Sequence, residues 1–211
     1  MLLALDTATP AVTVALHDGD RVVAESTVVD AMRHGELLAS GITTVLERAG
    51  ALRQDLTAVA VGAGPGPFTG LRVGLVTART LGMVLQIPVY GVCTLDVLAA
   101  EAADAGLGEP FLVATDARRK EVYWAAYDEK GHRLDGPHVC RPSEVATDGP
   151  VVGRGAVLYP EAFPNAVPPE HPSAAVLAQA LTDERVEPVD PEPLYLRRPD
   201  AAPSARRKQV S

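Results

Sequence analysis

The sequence predicts an α/β protein, a mixed sheet covered by helices and built as two related units. Three observations carry that expectation. A short apolar run opens the chain, and an alternating one, Val12 to Leu16, turns back at Asp18-Gly19, a pair that favours a tight hairpin. From about residue 34 the apolar period changes to three and four residues, and such stretches then alternate with short apolar runs. Beyond residue 106 the opening pattern returns as an apolar strand ending in Asp, followed by a hairpin.

Residues 2 to 5 read as a short buried strand ending at Asp6-Thr7-Ala8-Thr9-Pro10. Val12 to Leu16 alternates Val12, Val14 and Leu16 with Thr13 and Ala15, and Arg21 to Val28 forms the return strand. A helix is expected from about His34 to Ala49, because Leu37, Leu38, Gly41, Ile42, Val45, Leu46 and Ala49 recur at helical steps and Gly50 can end it. Ala58 to Val61 is a strand that a Gly/Pro loop joins to a helix from about Thr69 to Gln86. Thr69 is the expected N-cap, and Pro88 prevents continuation. Pro88 to Val92 is another strand, after which Thr94 can cap an Ala-rich helix over 95 to 105.

After Gly106 and Gly108, Phe111 to Thr115 forms a strand ending in Asp116. Glu121 to Tyr127 and His132 to Val139 flank a turn at Asp128-Glu129-Lys130-Gly131. Residues 140 to 172 are Pro-rich without a clear period, and Pro172-Ser173 starts a short helix through Leu181. The expected division is an N-terminal unit over 1–106, a smaller unit over 107–195 and a flexible basic tail over 196–211.

The 211 residues are 47% hydrophobic, enough for a buried core. A net charge of −8 disfavours unaided binding to a polyanion, so nucleic acid is a poor solo partner. Cys93 and Cys140 have no CxxC spacing and suggest neither a zinc site nor a disulfide framework, which fits a reducing cytoplasm. The first residues reach Asp6 too soon for a signal peptide. No apolar run approaches the roughly 20 residues of a membrane helix.

The stretch Gly62-Ala63-Gly64-Pro65-Gly66-Pro67-Phe68-Thr69-Gly70-Leu71-Arg72-Val73-Gly74 looks like a phosphate loop and lacks its parts. A Walker loop needs backbone donors and a Lys; Pro65 and Pro67 remove donors and no Lys follows. GxGxxG spacing is absent too, so the loop is expected to fix how a helix leaves a strand.

No HxxxH or HExxH pair and no GxSxG elbow occurs, so neither a metal site nor a serine nucleophile is indicated. His34 reads as a surface residue near a helix start. Asp6 and Asp116 are the better site candidates, because each ends a strand, where ligands collect in open α/β sheets. Either could accept from a hydroxyl or hold Mg²⁺, or else cap its own turn. Arg118, Arg119 and Lys120 concentrate charge at a strand-to-strand turn, as an anion contact or as hairpin decoration.

Both long helices carry wide apolar sides. On the second, Leu71, Gly74, Leu75, Ala78, Leu81, Gly82 and Leu85 mix small and large groups that let another helix approach, in this chain or in a partner.

Four segments together resemble the TsaB family, also called YeaZ: Leu3-Ala4-Leu5-Asp6-Thr7-Ala8-Thr9, Gly64 through Gly74, Asp116-Ala117-Arg118-Arg119-Lys120-Glu121-Val122-Tyr123, and Pro193-Leu194-Tyr195-Leu196-Arg197-Arg198-Pro199. They fall in the right order across nearly the whole chain, and the Gly/Pro loop is the most specific. The resemblance implies an actin-like, Hsp70-like (ASKHA) fold of two related subdomains, each a mixed sheet flanked by helices, with the second truncated. It implies an accessory subunit, with no catalytic residue, metal or cofactor of its own. Such a subunit scaffolds the threonylcarbamoyltransferase TsaD in forming threonylcarbamoyladenosine beside the anticodon of tRNAs that read codons starting with A. TsaE, an ATPase, joins through the TsaB–TsaD complex, tRNA is met only within the complex, and no membrane is involved.

The family's contact with TsaD, and a competing homodimer, use the two N-terminal helices. Carried onto this chain, the partner-binding residues are Leu37, Leu38, Gly41, Ile42, Val45, Leu71, Gly74, Leu75, Ala78, Leu81, Gly82 and Leu85. Asp6, Thr7, Asp116, Arg118 and Arg119 stand as candidate vestigial nucleotide or anion contacts. The family loop commonly has Ser where Pro67 stands. The alternative is a stand-alone actin-fold ATPase or carbamoyltransferase; a peptidase would need a nucleophile or metal-bound water that no motif supplies.

Overall fold

In a computed structural model, which describes residues 1–197, two sheets share one strand plan. The first contains β1 (Leu2–Asp6), β2 (Ala11–His17), β3 (Val22–Val29), β4 (Ala58–Gly62) and β5 (Val89–Val92) in the order β3-β2-β1-β4-β5. Here β1 is antiparallel to β2 and parallel to β4. The second sheet repeats that plan with β6 (Phe111–Asp116), β7 (Val122–Tyr127), β8 (Arg133–Cys140), β9 (Val151–Val152) and β10 (Ala166–Val167), in the order β8-β7-β6-β9-β10. Again the central strand, β6, is antiparallel to β7 and parallel to β9. The recurring sequence pattern is therefore a recurring sheet, and Asp6 and Asp116 end equivalent central strands.

Among the described residues, five α-helices cover these sheets: α1 (His34–Ala49), α2 (Phe68–Leu85), α3 (Thr94–Asp104), α4 (Arg154–Leu158) and α5 (Ala174–Thr182). Side chains alternate along β1, so Leu3 and Leu5 meet α1 and α2 through Leu38, Val45, Leu71, Leu75 and Ala78. On the opposite face the smaller Ala4, Ala15 and Ala60 receive Val97 of α3 and Leu177 and Ala178 of α5. A sheet covered on both faces explains why all seven residues of β2 are buried, polar Thr13 and His17 included. Leu95, Leu98 and Ala99 of α3 also pack on Phe111, Val113 and Tyr127, so one helix joins the two sheets.

Several local expectations are corrected by long-range contacts. Thr69 lies inside α2, which starts after Pro67 without a side-chain cap. Thr94 begins α3 without capping it, because its hydroxyl donates to Asp6, 88 residues away. Residues 140–172 hold β9, α4 and β10. The chain then leaves the second sheet: α5 packs on β1 and β2, and β11 (Pro188–Val189) pairs antiparallel with β5. A boundary at 107–195 thus mixes two layers. The cause is the Ala-lined face of the first sheet, which α5 fills, with Thr13 Oγ1 accepting from Ala174 N at 3.0 Å. Of the expected basic tail, residues 198–211 lie outside the described residues.

Gly50 ends α1 in the left-handed region at φ 61°. Ser173 caps α5 by accepting from Ala175 N and Val176 N. Ser173→Ala is expected to cost about 1 kcal/mol in urea denaturation, since the Ala175 and Val176 amides lose their side-chain acceptor while Ala174 N keeps Thr13.

Candidate functional site

Asp6 is fully buried at the C-terminal end of β1. Its Oδ1 accepts from Ala8 N at 2.7 Å and its Oδ2 from the Thr94 hydroxyl at 2.8 Å. A Cβ placed on Gly62 would stand 1.9 Å from Asp6 Oδ2, so only glycine fits opposite this carboxyl. Asp6 caps its own turn and ties β1 to α3. Burial pushes its pKa up to about 6, against the opposing pull of the Ala8 and Thr94 hydrogen bonds. Because the folded-state value is raised, this group's stabilising contribution is complete below the unfolded value and is lost as pH rises through about 6. Asp6→Asn should therefore flatten the stability profile, removing about 2 kcal/mol of the decline between pH 4.5 and 7.5 in urea melts.

Asp116, the equivalent residue of the second sheet, also accepts from the amide two positions on, Arg118 N at 2.7 Å. It pairs with the Arg118 guanidinium at 3.3 Å as well. Both aspartates thus perform the turn-capping role.

The Gly/Pro loop is held by backbone partners and by the Thr94 hydroxyl, which accepts from Gly64 N at 3.2 Å. Ala63 N donates to Val92 O, Thr94 N to Gly64 O, and a Cβ on Gly66 would fall 2.2 Å from Ala8 O. Glycine is required where the loop passes under the β1–β2 turn, as expected for a geometric element. Thr7 then fixes the start of α2: its hydroxyl donates to Gly70 O at 2.8 Å and accepts from Gly74 N at 3.0 Å.

Beside this junction lies a cleft of about 310 Å³ lined by Thr7, Thr9, Met32, His34, Pro67, Thr69, Gly70, Val73 and Arg118, among others. His34, expected at the surface, is half-buried here and donates through Nε2 to Thr9 O at 2.9 Å. Its position at the start of an apolar helix was the only sequence signal for that contact. Among the described residues, Arg118, in the β6–β7 turn, is the one lining residue from the second half of the chain. Arg118, Arg119 and Lys120 all have φ between 56° and 60°, a left-handed run costing about 1–2 kcal/mol per residue with a Cβ. The run is closed by Glu121 N donating to Arg118 O and Ala117 N to Glu121 O, both at 3.0 Å. Arg197 donates to Ala117 O at 2.9 Å and pairs with Glu121.

Chemically, the cleft presents an Arg charge, a His and Thr hydroxyls. The Thr7 hydroxyl hydrogen is committed to a carbonyl, which leaves it no role as an activated nucleophile.

The twelve helical residues expected at a partner surface divide by exposure. Leu38, Val45, Leu71, Leu75 and Ala78 lie in the core. Gly41, Gly74 and Gly82 admit the sheet, not a second helix: Cβ atoms there would meet Val14 at 3.0 Å, Thr7 Oγ1 at 2.5 Å and Val89 at 2.3 Å. Leu37, Ile42, Leu81 and Leu85 are half-buried at the core's rim. The exposed apolar stripe of α2 is instead Val76 (63% exposed), Met83 (68%) and Val84 (68%), with Arg72 and Thr80 on the same face. These positions follow helical steps of four, seven and eight residues, a signal that the Gly-containing side of the same helix masked.

The family described as "TsaD: tRNA N6-adenosine threonylcarbamoyltransferase" matches residues 23–168. An uncharacterized protein of Mycobacterium tuberculosis is 44% identical over 97% of this chain and 95% of its own. The tRNA threonylcarbamoyladenosine biosynthesis protein TsaB of Escherichia coli is 33% identical, covering 76% of this chain and 74% of its own. The solved structure of YeaZ from Pseudomonas aeruginosa superposes with a TM-score of 0.77 at 32% identity, over 92% of this chain and 99% of the other. With those likenesses, the paired mixed sheets are an actin-like fold. Among the described residues, no helix is long and apolar enough to cross a membrane.

Proposed function

The chain belongs to the TsaB (YeaZ) family, and from that premise we propose that it is a non-catalytic accessory subunit in tRNA threonylcarbamoyladenosine formation. In this reading it docks a TsaD-type threonylcarbamoyltransferase, and works in the cytoplasm. The observation that carries the proposal is the stripe Val76, Met83 and Val84 on a helix whose opposite face is already core. Exposed apolar groups in one row on a rigid helix are suited to a helical partner. The same row would serve a homodimer that competes with TsaD, while TsaE and tRNA join only through the complex.

A scaffold role is supported further by the committed polar groups. Asp6 and Thr7, where a nucleotide or a reacting group would be sought, bond to the protein itself. Mixing the chain with the TsaD of its own organism and measuring mass by light scattering tests the proposal. A heteromer forming at the expense of homodimer is expected; two unassociated species across micromolar concentrations would refute docking.

A further inference from the structure

Residues 190–197 leave the edge strand β11 and touch three separate parts of the fold in eight residues. Leu194 N donates to Ala63 O at 2.9 Å, at the start of the Gly/Pro loop. The Tyr195 hydroxyl accepts from Arg72 Nε at 2.7 Å, and the Arg72 guanidinium lies 5.8 Å from the Tyr195 ring centre. Arg197 reaches the second sheet, donating to Ala117 O and pairing with Glu121. These last contacts grip both ends of the left-handed Arg118–Lys120 run, which holds Arg118 at the cleft.

We propose that residues 190–197 are a clasp that holds this turn over the cleft and reports to it whether the exposed face of α2 is occupied. A left-handed run of side-chain-bearing residues persists only where its surroundings enforce it. Arg197 supplies that enforcement by fixing Ala117 and Glu121, so it is a positioning residue. Arg72 lies one helical turn before Val76 on the same face. A partner that covers Val76 therefore also meets Arg72 and Tyr195, and restricts the clasp. This second half rests on the docking proposal above; the first half does not.

Hydrogen exchange of the full-length chain tests both halves. In the free protein, Arg197→Gln should speed exchange at the Ala117 and Glu121 amides at least tenfold and leave the β1 and β4 amides within twofold of wild type. Adding Lys120→Gly, which removes one left-handed penalty, should recover most of the lost protection. Unchanged exchange at 117 and 121, or loosening spread equally over β1 and β4, would overturn the clasp. With saturating TsaD, wild type should exchange more slowly at those two amides and Tyr195→Ala should not. Equal response of the two proteins, with binding intact, would overturn the coupling alone. Failure of TsaD to bind would strike the docking proposal and the coupling, with the free-protein comparison still deciding the clasp.

Discussion

Met83→Glu, alone or with Val84→Glu, is expected to weaken association with TsaD by roughly 30- to 1000-fold, the about 2–4 kcal/mol typical of a central interface residue. Both side chains are 68% exposed, and Glu is a good helix former, so folding stability should stay within about 0.5 kcal/mol. Ala78→Glu on the same helix should behave oppositely. Ala78 has no exposed surface, and an unpaired carboxylate among Leu and Val side chains costs about 3–5 kcal/mol. That is a large share of the stability of a typical domain, so a chain unfolded or nearly so is the expected outcome. Circular dichroism melts beside titration calorimetry separate the two effects. An unfolded Met83→Glu protein, or a folded Ala78→Glu protein that fails to bind, would reverse the assignment of the helix faces.

Gly62→Ala is expected to destabilise the fold by about 3–5 kcal/mol although it adds one methyl group. That methyl would sit 1.9 Å from Asp6 Oδ2 and 2.3 Å from its carboxyl carbon, with no flexible arm to move aside. Overpacking of this kind costs about 1–3 kcal/mol, and displacing a buried carboxyl from its Ala8 and Thr94 partners adds about 1–3 kcal/mol. The double variant Gly62→Ala with Asp6→Ala should then be less damaged than the sum of its parts by at least about 1 kcal/mol. Strict additivity would mean that the collision is relieved elsewhere.

Much of this architecture is legible locally. Short apolar runs locate β1 and β6 and an alternating one locates β2, the three- and four-residue period bounds α1, and Gly50 marks its end because the left-handed turn there suits glycine. Illegible are the features set by residues far apart in sequence. Thr94 looks like a cap for α3 until the fold brings Asp6 to its hydroxyl. The return of α5 and β11 to the first sheet follows from the small-residue face of Ala4, Ala15 and Ala60, which resembles any other run of alanines. At the candidate site, the two strand-ending aspartates stand out in the sequence, while their roles depend on Gly62 and on the turn at Arg118. On α2 the apolar positions outnumber those one face can bury. Only the packing of Gly74 on Thr7 and Gly82 on Val89 decides which row stays outside.

If this chain assists a transferase and does not replace one, as proposed, product formation must depend on TsaD. The most direct measurement supplies threonylcarbamoyl-adenylate and unmodified tRNA to this protein, to its TsaD and to both, with and without TsaE, and quantifies the modified adenosine by mass spectrometry. No product is expected from this protein alone, and more product from the combination than from TsaD without it. Product from this protein alone would contradict the proposal and make Asp6 and Asp116 the first residues to replace.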